Sequence, residues 1–201
     1  MALYDNAGRI HKHEFVSSIL VFSVISLISV SARLYIRIRI QKQVGLDDGI
    51  LLFGTGCFIA GLVLLFLFID QLFEIEAPLF LPGAPIGPNF LGDAFYYQKM
   101  SAAALVLTWC SLVSVKFCFL CLFKKLVERI RPMVVYWWVT TIFNAAVSAY
   151  GVTVYIAACP YFNSLRIVTC SSGAGVTKTA AFAASQMILD VVGDLMSKSH
   201  L

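Results

Sequence analysis

The chain has 201 residues, of which 60% are hydrophobic and 13% are charged, and its net charge is +4. Soluble domains carry about 45–50% apolar and about 25% charged residues, so this composition excludes an ordinary soluble domain. No basic patch with interleaved aromatic residues occurs in the sequence, so no nucleic-acid partner is expected. The composition indicates a protein whose main partner is the lipid bilayer.

The first predicted membrane span covers residues 15–35 and follows a polar N-terminal tail, residues 1–14. No small-x-small cleavage site closes this apolar run, so it is predicted to be a signal anchor that stays in the protein. His11 and His13 of the tail have no evident third metal ligand, and no metal site is predicted. A first basic loop follows the span and contains Arg33, Arg37, Arg39 and Lys42.

The second predicted span, residues 50–69, is the clearest one in the chain. Its twenty consecutive residues carry no charge. About 20 helical residues at about 1.5 Å per residue cross the roughly 30 Å hydrocarbon core of a bilayer. Asp47 or Asp48 is expected to cap this helix at its N-terminus. Residues 73–98 contain four prolines, which predict a long polar loop without regular helix.

Three further segments complete five predicted spans. The third span, residues 100–123, carries Lys116, and a second basic loop with four cations follows it: Lys124, Lys125, Arg129 and Arg131. The fourth span, residues 134–158, begins with a pair of tryptophans that suits an interfacial aromatic belt. The fifth span covers residues 179–196, before a short tail over 197–201. The sequence therefore predicts an all-α, polytopic transmembrane helix bundle.

The distribution of positive charge predicts the topology. Lysine and arginine cluster after the first and third spans, and the positive-inside rule places both basic loops in the cytoplasm. With five spans, the N-terminus is extracytoplasmic and the C-terminus cytoplasmic, although Arg9 and Lys12 argue weakly against this orientation. We expect a multi-pass protein of the plasma membrane or an endomembrane. Its basic loops are candidate contacts for a cytoplasmic protein partner.

Several motifs occur in the order and spacing found in a known family. They are Ala32–Arg39, Gly45–Asp48, Arg129–Pro132, Tyr136–Trp138, Cys159–Pro160, Cys170–Thr177 and Asp190–Met196. Together they resemble the loops and the fifth helix of the fungal rhodopsin-like (rhodopsin domain-containing) integral membrane protein family. The resemblance covers about residues 14–196.

The resemblance implies five spans of a seven-helix-type architecture and a receptor-like, non-enzymatic function. It also implies C-terminal truncation, by a shortened gene model, an alternative transcript or a degenerate, non-functional copy. No retinal or other cofactor is expected, because retinal proteins hold a Schiff-base lysine in a late helix and Lys116 lies in the third span. An intramembrane enzyme and a small transporter are the alternative functions, and each would use Lys116 with Asp190 and Asp194.

These three residues are the sharpest candidates for a functional role. Asp190 and Asp194 are four positions apart and share one face of the fifth helix. A carboxylate at membrane depth is costly and marks a pathway or a buried partner, unless it reaches the interface. Lys116 is the natural cation to pair with Asp190, and the alternative is that it snorkels toward the headgroups. Asn144 and Tyr150 are expected to hydrogen-bond between helices.

The six cysteines suggest structural roles. Cys159 and Cys170 lie in or beside one outer loop, and a disulfide between them is one hypothesis, while the other leaves Cys159 without this bond. Cys118 and Cys121 form a CxxC inside the third span without a second pair or a nearby histidine, so they are predicted to be structural thiols. Any ligand site is expected beneath the proline-rich and cysteine-containing outer loops. No catalytic residue is predicted.

Overall fold

The computed structural model describes residues 11–42, 45–80, 90–127, 131–157 and 174–198. This part of the chain is helical, and no strand occurs in it. Its five α-helices are α1 (Lys12–Tyr35), α2 (Leu46–Phe80), α3 (Phe90–Val127), α4 (Arg131–Ala157) and α5 (Ala174–Lys198). The all-α architecture predicted from the composition is therefore observed.

A π-helical segment continues α1 toward the cytoplasmic loop predicted for this region. It covers Ile36–Gln41 and contains Arg37 and Arg39 of the first basic loop. Lys42 ends it with a φ of 49°, in the left-handed region that stops a right-handed helix. The basic strip is therefore an ordered extension of the first helix and not an extended loop.

The N-terminus of α2 is capped from within its own first turn. The backbone N–H of Gly45 donates a hydrogen bond to Oδ2 of Asp48 over 3.0 Å. In turn, the backbone N–H of Asp48 donates to the carbonyl of Gly45 over 3.1 Å. A side chain three residues into the helix thus satisfies the amide that precedes it, as in a capping box. The predicted capping role is confirmed for Asp48.

The predicted loop over residues 73–98 is wrong at both of its ends. α2 continues through Pro78 to Phe80, and α3 already begins at Phe90. Proline removes one backbone hydrogen bond, a cost that a helix can absorb in its last turn, and the glutamate, alanine and leucine residues around Pro78 favour helix. Asp93 lies in the first turn of α3, where a negative charge complements the helix dipole. The other three prolines lie outside the described residues.

Four helical segments in the described part are long and apolar enough to cross a membrane. They are Lys12–Ile40, Leu46–Glu74, Gly92–Lys124 and Thr177–Ser197. They coincide with the first, second, third and fifth predicted spans. α4 coincides with the fourth predicted span, and its 27 residues suffice in length. It is not among the four segments found in the described residues.

The chain forms two compact units, Met1–Val44 with Phe58–Ala104 and Gly45–Cys57 with Leu105–Leu201. In the first unit, Lys12 at the start of α1 pairs with Asp70 of α2, and the rings of Phe15 and Phe73 meet edge to face one turn further along each helix. These contacts hold the N-terminus of α1 against the C-terminal part of α2. In the first unit, α1 and α2 are thus joined by an ion pair beside an aromatic pair.

In the second unit, small residues let the helices approach closely. Gly54 of α2 faces Ser114 of α3, and a Cβ added at Gly54 would lie 2.6 Å from the Ser114 Cβ. Gly151 of α4 faces the indole of Trp109 of α3, which would overlap any side chain placed there. Small residues have this role in membrane bundles because van der Waals packing replaces the hydrophobic effect between helices.

The buried Trp137 of α4 connects α3 and α4. Its Nε1 donates to the carbonyl of Leu120 over 2.8 Å, and its ring lies edge to face with that of Trp138. Lys124 lies over the Trp137 ring, with Nζ 5.4 Å from the ring centroid. The two tryptophans that the sequence predicts at a membrane interface thus differ in their surroundings. Trp137 is buried between the helices, whereas Trp138 is exposed.

We predict that Trp137→Phe destabilises the protein by about 1–2 kcal/mol, since phenylalanine keeps an aromatic ring but loses the hydrogen bond to Leu120. Trp138→Phe is the matched control, and its effect should stay within about 0.5 kcal/mol because that ring is exposed. Unfolding by SDS in mixed micelles measures both. Equal losses of stability in the two variants would contradict the assigned hydrogen bond.

Candidate functional site

The three charged residues singled out in the sequence meet between α3 and α5. Lys116 Nζ lies 2.7 Å from Oδ1 of Asp190 and 2.8 Å from Oδ1 of Asp194. The two carboxylates are one helical turn apart on α5, so a single ammonium on α3 can reach both. We refer to Lys116, Asp190 and Asp194 as the charge cluster.

The three side chains of the charge cluster differ in their exposure. The exposed fraction of the side chain is 25% for Lys116, 32% for Asp190 and 54% for Asp194. The Lys116–Asp190 pair, hypothesised as buried, is therefore half-buried, and Asp194 is the most accessible member of the charge cluster. Because the ammonium contacts both carboxylates, the geometry favours ion pairing over snorkelling for Lys116.

α5 is held against α4 at three levels, and these contacts fix the direction of its carboxylates. The hydroxyls of Tyr150 and Ser185 lie 3.0 Å apart at one level. A Cβ added at Gly193 would lie 2.9 Å from Oδ1 of Asn144, so the absence of a side chain permits this close approach. At the third level the hydroxyl of Tyr136 donates to a carbonyl of α5 over 3.2 Å. The expected role of Tyr150 in linking helices is observed.

α3 is positioned against α4 by two indole hydrogen bonds. Trp109 Nε1 donates to the carbonyl of Ser148 over 3.1 Å, and Trp137 Nε1 donates to that of Leu120 over 2.8 Å. The acceptors are backbone carbonyls, so each indole contacts the neighbouring helix itself. α4 therefore serves as the common support that brings Lys116 of α3 to the carboxylates of α5.

A partly open cavity of about 300 Å³ adjoins the charge cluster. It has an apolar wall on α3 and polar groups contributed by all three helices. Its lining consists of Lys116, Phe119, Leu120, Phe123, Asn144, Asp194 and Ser197. Of the carboxylates, Asp194 lines the cavity, which agrees with its greater exposure.

Two polar groups near the cluster have buried atoms without a hydrogen-bond partner among the described residues. Gln186 of α5 lies one turn before Asp190, is 6% exposed, and both of its amide atoms lack a partner. Thr140 of α4 is fully buried, and its hydroxyl also lacks one. The Asn144 amide donates to the Thr140 carbonyl over 2.9 Å. Near the charge cluster, therefore, some buried hydrogen-bond donors and acceptors have no partner among the described residues.

The cavity does not correspond to the ligand site expected from the sequence. The sequence placed that site beneath the outer loops, and the cysteine-containing loop, with Cys159 and Cys170, lies outside the described residues. The cavity is instead lined by the C-terminal halves of α3 and α5. Its aromatic residues had not been singled out, although Phe119 and Phe123 follow Lys116 at helical spacing and thus share its face.

The remaining predicted residues show no chemical site in the described part of the chain. Arg39, Lys42, Lys124 and Arg131 are exposed, while Arg33 and Arg37 are half-buried. The side chain of Lys125 and all of Arg129 lie outside the description. No disulfide joins the four described cysteines, Cys57, Cys110, Cys118 and Cys121. No group of three metal-ligating side chains occurs among the described residues, His11 and His13 included.

Comparison with profiles of known protein families, with curated proteins and with solved structures gave no match to this chain.

Proposed function

We propose that this chain is a receptor-like, non-enzymatic integral membrane protein of the fungal rhodopsin-like type. In this proposal α4 crosses the membrane together with the other four helices, the N-terminus is extracytoplasmic and both basic loops are cytoplasmic. The charge cluster ties α5 to α3 and defines the resting arrangement of the helices. The single observation that supports this role is the position of Lys116, which bridges two carboxylates of another helix.

We refer to the bridge from Lys116 to Asp190 and Asp194 as the lock between α3 and α5. Such a lock suits a protein that changes conformation when a ligand binds. Ion pairs between helices have two discrete arrangements, made and broken, and a ligand shifts the balance by binding one of them better. In the resting state, the pairing occupies the ammonium and one oxygen of each carboxylate. This argues against assigning the same groups to an acid and a base for catalysis, which must reach a substrate.

The described helices argue against the transporter alternative. Transporters often bind their substrates at broken helices near the middle of the membrane. α2, α3, α4 and α5 are each continuous, and the π-helical segment lies after α1 at the first basic loop. The charge cluster also lies in the C-terminal halves of α3 and α5, toward the predicted cytoplasmic side.

The lock predicts a narrow distribution of distances between α3 and α5 in liposomes. Spin labels introduced as unnatural amino acids at Leu112 and Met187, which are exposed on these helices, report this distance by pulsed EPR. Lys116→Met should broaden the distribution and move it to longer distances, because the bridge between the helices is lost. Lys99→Met, an exposed lysine of α3, should leave it unchanged.

The same liposomes separate the receptor-like function from transport. With a pH-sensitive dye inside, we expect no proton flux from the wild-type protein or from Asp190→Asn. A wild-type flux that disappears in Asp190→Asn would replace the present proposal with a proton-coupled transporter. A distance distribution that is equally broad with and without Lys116 would reject the lock itself.

A further inference from the structure

The cavity beside the charge cluster carries an inference about the ligand, which rests on the proposed function because it concerns the same site. We propose that this cavity binds a small amphipathic amine, with its ammonium at Asp194 and its apolar body along the wall formed by α3. The charge of the cluster, the chemistry of the wall and the volume of the cavity all fit such a ligand.

The charge cluster has one negative charge in excess. It contains two carboxylates and one ammonium, and each carboxylate contacts that ammonium through a single oxygen in the described geometry. In surroundings of low dielectric constant an uncompensated charge is costly, and a second cation would offset it. A bound ammonium brings the sum of charges at the site to zero.

Asp194 is the carboxylate that such a cation would reach. Its side chain is 54% exposed and lines the cavity, whereas Asp190 is 32% exposed and is not among the lining residues. Ser197, one turn further along α5, and Asn144 of α4 also line the cavity. A hydroxyl oxygen and an amide oxygen both accept hydrogen bonds from an ammonium, so the polar side of the cavity can hold all three of its donors.

The opposite wall suits an apolar body of limited size. Phe119, Leu120 and Phe123 form it, and aromatic faces also attract cations. The volume is about 300 Å³. An engineered cavity of about 150 Å³ accommodates benzene, so roughly twice that volume admits an aromatic ring with a short alkylamine chain.

An anionic ligand fits this cavity less well. A carboxylate or phosphate would have to displace Asp194 from Lys116, or else add a third negative charge beside two others. Like charges in close proximity are strongly unfavourable at low dielectric constant. The presence of a lysine in the lining therefore does not make this an anion site, because its charge is already exceeded by its partners.

Calorimetric titration of the full chain in nanodiscs, with empty nanodiscs as the blank, tests the proposal with three ligands of one shape. They are phenethylamine, phenethyl alcohol and phenylacetate, which differ in charge. We expect saturable binding of the amine, at least about tenfold weaker binding of the alcohol and none of the acid. Alcohol or acid binding as tightly as the amine, or no saturable amine binding, would overturn the proposal.

A pair of variants locates the site. Asp194→Asn should weaken amine binding by about tenfold, because it removes the charge that receives the ammonium. Asp93→Asn changes an exposed carboxylate in the first turn of α3 and should bind the amine as the wild type does. Equal binding by both variants would overturn the assignment to Asp194. An intact distance between α3 and α5 without amine binding would reject the ligand class alone, whereas loss of that distance would reject the lock.

Discussion

Replacing Lys116 by methionine should destabilise the protein by about 2 kcal/mol. The expected cost lies between that of an exposed ion pair and that of a fully buried one, because the side chains of the charge cluster are half-buried. Methionine keeps the length and apolar character of the lysine stem, so the loss reports the charge. Two carboxylates then remain close together without their cation, and their repulsion adds to the loss. Unfolding by SDS in mixed micelles measures the change.

The carboxylates should behave differently from the lysine. Asp190→Asn leaves one ammonium with one carboxylate, a balanced pair, so we expect a change below about 1 kcal/mol. Adding Asp190→Asn to Lys116→Met should recover about 1 kcal/mol, because it removes the repulsion between the carboxylates. Lys99→Met serves as the control for loss of a positive charge on α3. No loss of stability in Lys116→Met would show that the bridge contributes nothing to the stability of the protein.

Gly151→Ala should destabilise the protein by about 3 kcal/mol, near the upper end of what overpacking costs. The added methyl group would overlap the indole of Trp109. That ring is 7% exposed and donates its N–H to the carbonyl of Ser148, so it can move away only by giving up this hydrogen bond. Because α4 supports both α3 and α5, the damage should also reach the charge cluster.

Gly56→Ala of α2 is the control for this substitution. A Cβ at Gly56 meets no atom within 4 Å. Alanine in a helix is more stable than glycine by about 0.5–1 kcal/mol, so this change should be neutral or slightly stabilising. Thermal unfolding in detergent, followed by tryptophan fluorescence, compares the two variants. A Gly151→Ala protein as stable as Gly56→Ala would show that Trp109 has room to yield.

The sequence allowed the helices and the charge cluster to be predicted because strong and simple forces act on both. Long uncharged runs such as residues 50–69 have few alternatives to a membrane helix. Isolated charges at membrane depth need partners, which favours the pairing of Lys116 with Asp190. The four-residue spacing of Asp190 and Asp194 places both carboxylates on one face of the helix.

Other features depend on distances between helices, which a single sequence does not contain. The lining of the cavity combines Phe119 and Phe123 of α3 with polar residues of two other helices. The close approach at Gly151 depends on which residue of α3 stands opposite. The loop predicted over residues 73–98 failed for a different reason. Prolines within a segment do not exclude helix on either side of them, because the flanking residues favour helix and the last turn of a helix tolerates one missing hydrogen bond.

In the proposed membrane arrangement, the carboxylates that flank the uncharged part of α2 would fix the depth of this helix in the bilayer. Asp48 caps the helix, Asp70 pairs with Lys12, and no charged residue lies between them in the sequence. The two positions are about 33 Å apart along the helix axis, against a hydrocarbon thickness of roughly 30 Å. Sliding by one turn, about 5.4 Å, would carry one of the two carboxylates past the edge of the hydrocarbon core, where its charge is no longer hydrated. In the proposed membrane arrangement, α2 would therefore resist vertical displacement.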